Sequence, residues 1–515
     1  MPRCVGSGAA FLDFDDDGFL DIYLLQNGGE GTGFKNQLFR QVDGKFVDVS
    51  VGSGLDVDGY GMGVAVGDVN NDGKVDVLVS EYGRSRLFLN QTNGTTPSFT
   101  DVTQKSQIRN PNWATSTCFF DYDRDGWLDL VLVNYVSYDP ARPCSGGGGK
   151  QDFCGPDAFP GRVSKLFRNL GDQDGDGVGD AVFEDRTIAS GFGEHPGPGL
   201  GVFCADFDGD GWQDVFISND GQPNHLWMNQ QDGTFKEEAI TRGLGYNSMG
   251  RSEADMGIAI GDVDSNGLFD IFVTHLTTET HTLWSQGPKG VFIDKTASVG
   301  VSSTEWRGTG FGTAMADLDN DGDLDLVLVN GRVTRETGSP QQGTKLDEFW
   351  VPYAERDQIL LNNNGRFEDA SAAESQFSEV GTISRGLACG DYDNDGRIDL
   401  LVTRIAGPIG LYHNTASPQN WLQIRAILPE QNRDAYGAEV YVQAGDQRWM
   451  RWVNPGYSYL CSNDVRAHFG LGDVSSVDHV EVLWPTGERE RFDGVPINQC
   501  VTLAKGTGLP VENKQ

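Results

Sequence analysis

One nine-residue pattern, Asp-x-[Asp/Asn]-x-[Asp/Asn]-Gly-x-x-Asp, recurs seven times in the 515-residue sequence and constrains its fold more than any other feature. It reads DFDDDGFLD, DVNNDGKVD, DYDRDGWLD, DFDGDGWQD, DVDSNGLFD, DLDNDGDLD and DYDNDGRID. Oxygen ligands at positions 1, 3, 5 and 9, a backbone carbonyl at position 7 and a turn-forming Gly at position 6 are what a bound Ca²⁺ needs. The candidate ligands of loop one are Asp13, Asp15, Asp17, Phe19 and Asp21, and those of loop two are Asp68, Asn70, Asp72, Lys74 and Asp76. Loop three offers Asp121, Asp123, Asp125, Trp127 and Asp129, and loop four Asp206, Asp208, Asp210, Trp212 and Asp214. Loop five offers Asp262, Asp264, Asn266, Leu268 and Asp270, and loop six Asp317, Asp319, Asp321, Asp323 and Asp325. Loop seven offers Asp391, Asp393, Asp395, Arg397 and Asp399. Each position-7 residue contributes its carbonyl, and Asn70 and Asn266 predict two weaker sites. No Cys or His occupies a ligand position, which disfavours zinc.

An EF-hand needs Glu at position 12 and flanking helices. Position 12 is instead Leu24, Val79, Leu132, Ile217, Val273, Leu328 and Val402, each in a short branched-aliphatic run. Such runs read as strands buried on both faces. The stretches before the loops, such as GMGVAVG and GLGVFCA, also read as strands. Downstream of most loops comes a hairpin pattern such as NHLWMNQQDGTFKEEA. One repeat is therefore four short antiparallel strands. The loops begin at 13, 68, 121, 206, 262, 317 and 391, a period of about fifty-five residues lengthened twice by insertion. That spacing predicts an all-β, seven-bladed β-propeller, with a solenoid as the structural rival.

The unit GxAxxDxDxDGxxDLxVxN followed by LxxNxGxGxFxDxT resembles the FG-GAP (VCBS-type) repeat of integrin-α-like propellers, across about residues 6–414. A second, smaller β domain follows the SPQ linker. Its strings NRDAYGAEV, NPGYSYLCSND, HFGLG and VEVLWPTGE resemble the ASPIC/UnbV domain. The expected organisation is a propeller over residues 1–416, a β domain over 420–507 and a flexible tail over 508–515. This combination is similar to the cartilage acidic protein family. The resemblance implies an extracellular, acidic, calcium-binding protein and leaves the ligand unnamed.

The insertion in the third repeat holds CSGGGGKQDFC. It departs from a phosphate loop at both ends of that motif, and a disulfide between Cys144 and Cys154 pinning a surface loop is the better reading. The same repeat carries DQDGDGVGD, whose Asp172, Asp174, Asp176 and Asp180 form a candidate eighth calcium site. The second insertion, between Arg332 and Tyr353, reads as a polar surface loop. Cys461–Cys500 is a second candidate disulfide, whereas Cys118, Cys204 and Cys389 fall on first strands and read as buried thiols.

The formal charge of −36 would stay strongly negative with seven divalent cations bound, which excludes nucleic acid and anionic membranes as partners. No apolar run approaches the ~20 residues of a transmembrane helix. MPRCVGSG has no apolar signal core, and the first repeat opens on its innermost strand. The last repeat has only GLYHN after its second strand. Either Asn420–Ile427 closes that blade or the natural chain starts further upstream. The expected setting is extracellular or periplasmic, and the expected partner an extracellular protein or glycan. Trp127 and Trp212, and the group Trp449, Trp452, Tyr457 and Tyr459, are candidate ligand-contacting aromatics, with core packing as the plainer reading. The alternatives are an enzyme acting at the channel face, for which His225, His275 and His281 are the available imidazoles, and a passive module of a larger secreted protein. No GxSxG, HExxH or complete phosphate loop supports catalysis.

Overall fold

Glycine-rich first strands and aliphatic second strands set the architecture. The computed structural model describes residues 2–144, 152–304, 306–335, 346–373 and 375–511. Its seven repeats form seven consecutive antiparallel sheets, six of four strands and a seventh of three. Each sheet starts from its innermost strand: Ala9–Leu12, Gly61–Gly67, Ala114–Phe120, Gly199–Ala205, Ile258–Gly261, Gly310–Ala316 and Ser384–Gly390. These strands touch their neighbours in succession, and the first also touches the seventh, so the sheets close into a ring. The second strands are buried on both faces, as their unbroken hydrophobicity requires.

Glycine permits this crowding at the ring's centre. A Cβ on Gly257 would meet the Phe311 carbonyl of the next sheet. Gly257→Ala is expected to cost about 1–3 kcal/mol as an overpacking change. A shift of the urea midpoint at constant m-value is the measurement; no shift would show that the neighbouring strand yields freely.

Polar side chains stitch successive sheets together. Asn90, Asn169, Asn229, Asn362 and Asn414, at the ends of third strands, each donate Nδ2–H to the position-2 carbonyl of the preceding metal loop, at 2.7–3.2 Å. Gln41 does the same across the closure, donating to Tyr392 O at 3.2 Å.

Three expectations are corrected here. Asn420–Leu428 does not complete the seventh sheet; it pairs with Ala467–Gly472 and, in parallel, with Cys500–Ala504 in the C-terminal unit. Its alternating apolar positions are taken up by that unit's own core. Leu509 and Pro510 are not a free tail, because they pair with Arg491 and Glu490; residues 512–515 lie outside the described residues. Cys461 and Cys500 are separate thiols, one buried and one exposed. Cys461 lies against Ala9 of the propeller, while Cys500 sits in a strand of the second unit. Cys144–Cys154 is a disulfide, and Cys118, Cys204 and Cys389 are buried thiols. The GGGGK stretch falls outside the described residues, as does much of the second insertion.

Candidate metal centres beneath the second unit

Each nine-residue loop folds in one stereochemistry, repeated seven times. Position 1 uses a carboxylate oxygen to accept the N–H of the Gly at position 6, at 2.7–3.0 Å, in all seven loops. Position 5 accepts the N–H of position 7 in every loop. Position 9 accepts two N–H groups, one from position 2 and one from the end of the third strand, as Asp76 does with Val69 and Asn90. Two residues per loop have positive φ: the Gly at position 6 and the residue at position 4, such as Asp16, Asn71, Asn320 and Asn394. Asn, Asp and Gly tolerate that conformation best. The position-4 signal was present in the sequence and is not part of the ligand pattern.

These bonds aim carboxylates at common points. Asp13, Asp15 and Asp17 bring oxygens within 4.8 Å of one another, as do Asp121, Asp123 and Asp129, and Asp206, Asp208 and Asp210. Burial holds the position-1 carboxyls up at about 6 in Asp13 and Asp262 and about 7 in Asp68, Asp121, Asp206, Asp317 and Asp391. Burial also drives the position-9 carboxyls of Asp21, Asp270, Asp325 and Asp399 to about 8. Several buried oxygens accept no hydrogen bond at all: Oδ1 of Asp15, Asn70, Asp121, Asp317 and Asp393. Buried oxygens without donors, within converging groups of carboxylates, fit a hard divalent cation.

The surroundings differ from loop to loop. Arg40 bridges Asp15 and Asp17 at 2.6 and 2.7 Å, and Arg168 bridges Asp123 and Asp125 at 2.5 and 2.8 Å. At loop seven, His413 converges with Asp393 and Asp395. An imidazole therefore does reach one acidic loop, from just past the third strand rather than from the nine-residue pattern. Asp172, Asp174 and Asp180 also converge, on a more exposed hairpin tip where Lys105 pairs with Asp180 at 3.2 Å. There, hydrogen bonds from the Gly177 and Gly175 backbone hold the Asp172 carboxyl below its usual range.

The second unit covers this loop face. It consists of two sheets: Asn420–Leu428 with its partners, and a five-stranded sheet that includes Glu439–Ala444 and Gln447–Trp452. Its cations enter the loops. Buried Arg433 donates to Gly126 O and to Asn71 Oδ1. Arg466 donates to Asp391 O and Asn394 Oδ1 at 2.8 and 2.7 Å. Half-buried Arg451 offsets the charge of Asp317 and Asp262. Arg425 pairs with Asp16 at 3.3 Å.

The unit also sends residues 457–462 into the ring. Leu460 O accepts the Val64 N–H, Ser458 exchanges backbone hydrogen bonds with Ile258, and Ser462 does so with Ala9 and Phe11. Tyr459 is fully buried among Trp113, Phe311, Leu200 and Met256. The group Trp449, Trp452, Tyr457 and Tyr459 follows the plainer reading, core packing: Trp449 is buried in the unit's own core, and Trp452 and Tyr457 pack between the unit and the propeller. Trp127 covers Gly171 and Gly179, and Trp212 stacks beneath Arg124 at 4.6 Å.

The imidazoles of the catalytic alternative do not form a shared site. His275 is buried and bonded to Asp255 at 2.8 Å, His281 is buried behind it, and His225 packs in another sheet against His195 and Trp227.

Sevenfold sheets, acidic strand-connecting loops and a capping β unit define a repeat-built β-propeller of the acidic-loop class. The FG-GAP-like repeat model matches residues 13–79, 68–132, 206–273, 262–328 and 344–402, more than half of the chain, which belongs to this family. Residues 428–510 match the ASPIC and UnbV model. Cartilage acidic protein 1 of Mus musculus is 26% identical over 83% of this chain and 70% of its own length. The Homo sapiens protein of that name is 25% identical over 83% and 69%. A solved Agrocybe aegerita protein, described as specifically recognising non-reducing terminal N-acetylglucosamine, covers 79% of this chain and 94% of its own at 15% identity and a TM-score of 0.38, too distant to bear on function. No helix among the described residues is long and apolar enough to cross a membrane.

Proposed function

We propose that the seven loops bind Ca²⁺, that the ions are structural, and that the stiffened molecule serves extracellular recognition of a protein or glycan. The carrying observation is the sevenfold repetition of one loop geometry, with a buried side-chain oxygen left without a donor in five of the loops. Positions 1, 3, 5 and 9 and the position-7 carbonyl would hold each ion, and Asp172, Asp174, Asp176 and Asp180 an eighth. The ion supplies positive charge where carboxylates 4 Å apart repel by ~4 kcal/mol at an effective dielectric of 20. The residues do the rest: position 9 ties the loop to the third strand, and the third-strand Asn ties it to the neighbouring sheet. Binding at ~10⁻⁴–10⁻³ M is typical of extracellular modules. The disulfide Cys144–Cys154 and the similarity to proteins named cartilage acidic protein support an oxidising, extracellular setting.

Recognition has a place to occur. A cavity of about 520 Å³ opens between loops one and two and the second unit, bordered by Asp16, Lys74, Arg425, Asp434 and Arg466. Both charge signs line it, which suits a polar ligand. Protein and glycan arrays with and without Ca²⁺ test the reading. Calcium-dependent capture that weakens with Arg425→Glu is expected, and capture indifferent to both would refute the assignment.

The stoichiometry gives a separate test. Asp319→Ala at position 3 of loop six is expected to remove one equivalent of bound Ca²⁺ by equilibrium dialysis and leave the other loops loaded. An unchanged equivalence would remove loop six from the set.

A further inference from the structure

All six four-stranded sheets of the propeller finish on an outer strand that carries Phe-x-[Asp/Glu]: Phe46–Asp48, Phe99–Asp101, Phe183–Asp185, Phe235–Glu237, Phe292–Asp294 and Phe367–Asp369. The acidic residue accepts the N–H two residues on, in every case. Five of the six phenylalanines are buried. A residue near the start of the third strand (Leu38, Leu87, Leu166, Leu226, Leu283 or Ile359) accepts a backbone N–H from the residue just past the outer strand each time.

Among the described residues the seventh sheet ends at its third strand, Gly410–Tyr412. Leu411 pairs with Leu401 as Ile359 pairs with Val327, so it occupies the acceptor position. It is 36% exposed, against 0–7% for its six counterparts.

The Phe nest is nevertheless built. Phe367 packs among Val263, Leu283, Leu324, Leu326 and Leu360. The equivalent residues one sheet further on are Leu318, Ile359, Ile398, Leu400 and Tyr412, and all five line a cavity of about 590 Å³. A cationic donor for the acidic residue is present too. In the third sheet, Lys165 reaches Asp185 at 2.8 Å. Gly410 holds the Lys165 position by register, and Arg404 fills the space above it, with Nη2 3.0 Å from where a Cβ would stand. The Arg404 Nε is buried and bonds to nothing.

We propose that the outer edge of the seventh sheet is a docking groove for an extended Phe-x-[Asp/Glu] strand of a partner polypeptide. The strand adds antiparallel to Gly410–Tyr412, its Phe fills the apolar cavity, and its carboxylate meets Arg404. Main-chain pairing supplies affinity and the side-chain pockets supply specificity, the general logic of strand addition. The inference does not depend on calcium in the loops.

The probe is a fluorescein-labelled peptide with the sequence of residues 290–297, GVFIDKTA, titrated with the whole protein in Ca²⁺ and followed by anisotropy. Saturable binding is expected, at least tenfold weaker for the peptide with Phe replaced by Ala and for the protein variant Arg404→Glu. Leu411→Pro, at an exposed edge, removes the outward N–H and is expected to weaken binding as much. Melting curves confirm that each variant is folded. No binding at about 1 mM, or binding indifferent to the peptide's Phe and to Arg404, overturns the proposal. A dimer in sedimentation velocity that the peptide dissociates overturns it in favour of a second copy of the chain.

Discussion

In excess EGTA the melting midpoint should fall by about 12 °C. With Ca²⁺ at ten times its Kd, each site contributes about 1.4 kcal/mol to the folded state, and seven independent sites about 10 kcal/mol. Unfolding entropy near 2.1 cal/mol/K per residue gives about 0.8 kcal/mol/K for a unit of about 400 residues, which converts that energy into the stated shift. Differential scanning calorimetry in Ca²⁺, in EGTA and after Ca²⁺ is restored measures it. Mg²⁺ should restore little, because it demands stricter octahedral geometry and surrenders its water reluctantly. A midpoint unmoved by chelation would contradict structural calcium.

The second large effect concerns the plug formed by residues 457–462. Tyr459→Ala should destabilise the protein by about 3–5 kcal/mol, the usual cost of emptying a large aromatic site. Tyr459 sits against Phe311 with ring centroids 4.9 Å apart, and its hydroxyl donates to Val5 O at 3.1 Å. Tyr459→Phe keeps the packing and loses only that bond, so about 1 kcal/mol is expected. Guanidinium unfolding gives both numbers. Limited proteolysis adds a readout specific to docking: the Ala variant should be cut faster in the 413–419 connector. A loss below 1 kcal/mol with unchanged proteolysis would show that the plug fills space without holding the units together.

The loops and strands were legible because each is specified locally and repeated. Asp, Asn and Gly at fixed offsets dictate a turn, and aliphatic runs of about six residues can only be buried strands in such a context. The Cys144–Cys154 bridge was legible because it spans a short loop. What escaped is non-local. Arg433, Arg451 and Arg466 look like ordinary surface cations in sequence; only the docking of one unit on the other sets them over Asp121, Asp317 and Asp391, Arg433 buried and the other two half-buried. His413 follows a strand rather than a loop, so no nine-residue pattern includes it. NPGYSYLCSND carries aromatics at a spacing that suits either a binding platform or an insertion, and local pattern does not separate the two. Asn420–Leu428 alternates like any outer strand, and its true partner lies about forty to eighty residues downstream.

The ring has an order-of-synthesis consequence. No strand is shared between the first and seventh sheets; their seam is spanned by Ser462, bonded to Ala9 and Phe11, and by Asn463, which accepts the Cys389 N–H at 2.9 Å. Those two residues follow all seven sheets along the chain. The Gln41–Tyr392 bond and the packing of Phe11 and Ile22 against Ala388 and Leu401 need only the seven sheets. The seam gains its last backbone bonds when residues 462 and 463 leave the ribosome, so a nascent chain stalled before residue 462 would present chaperones with a ring that is closed but not clasped.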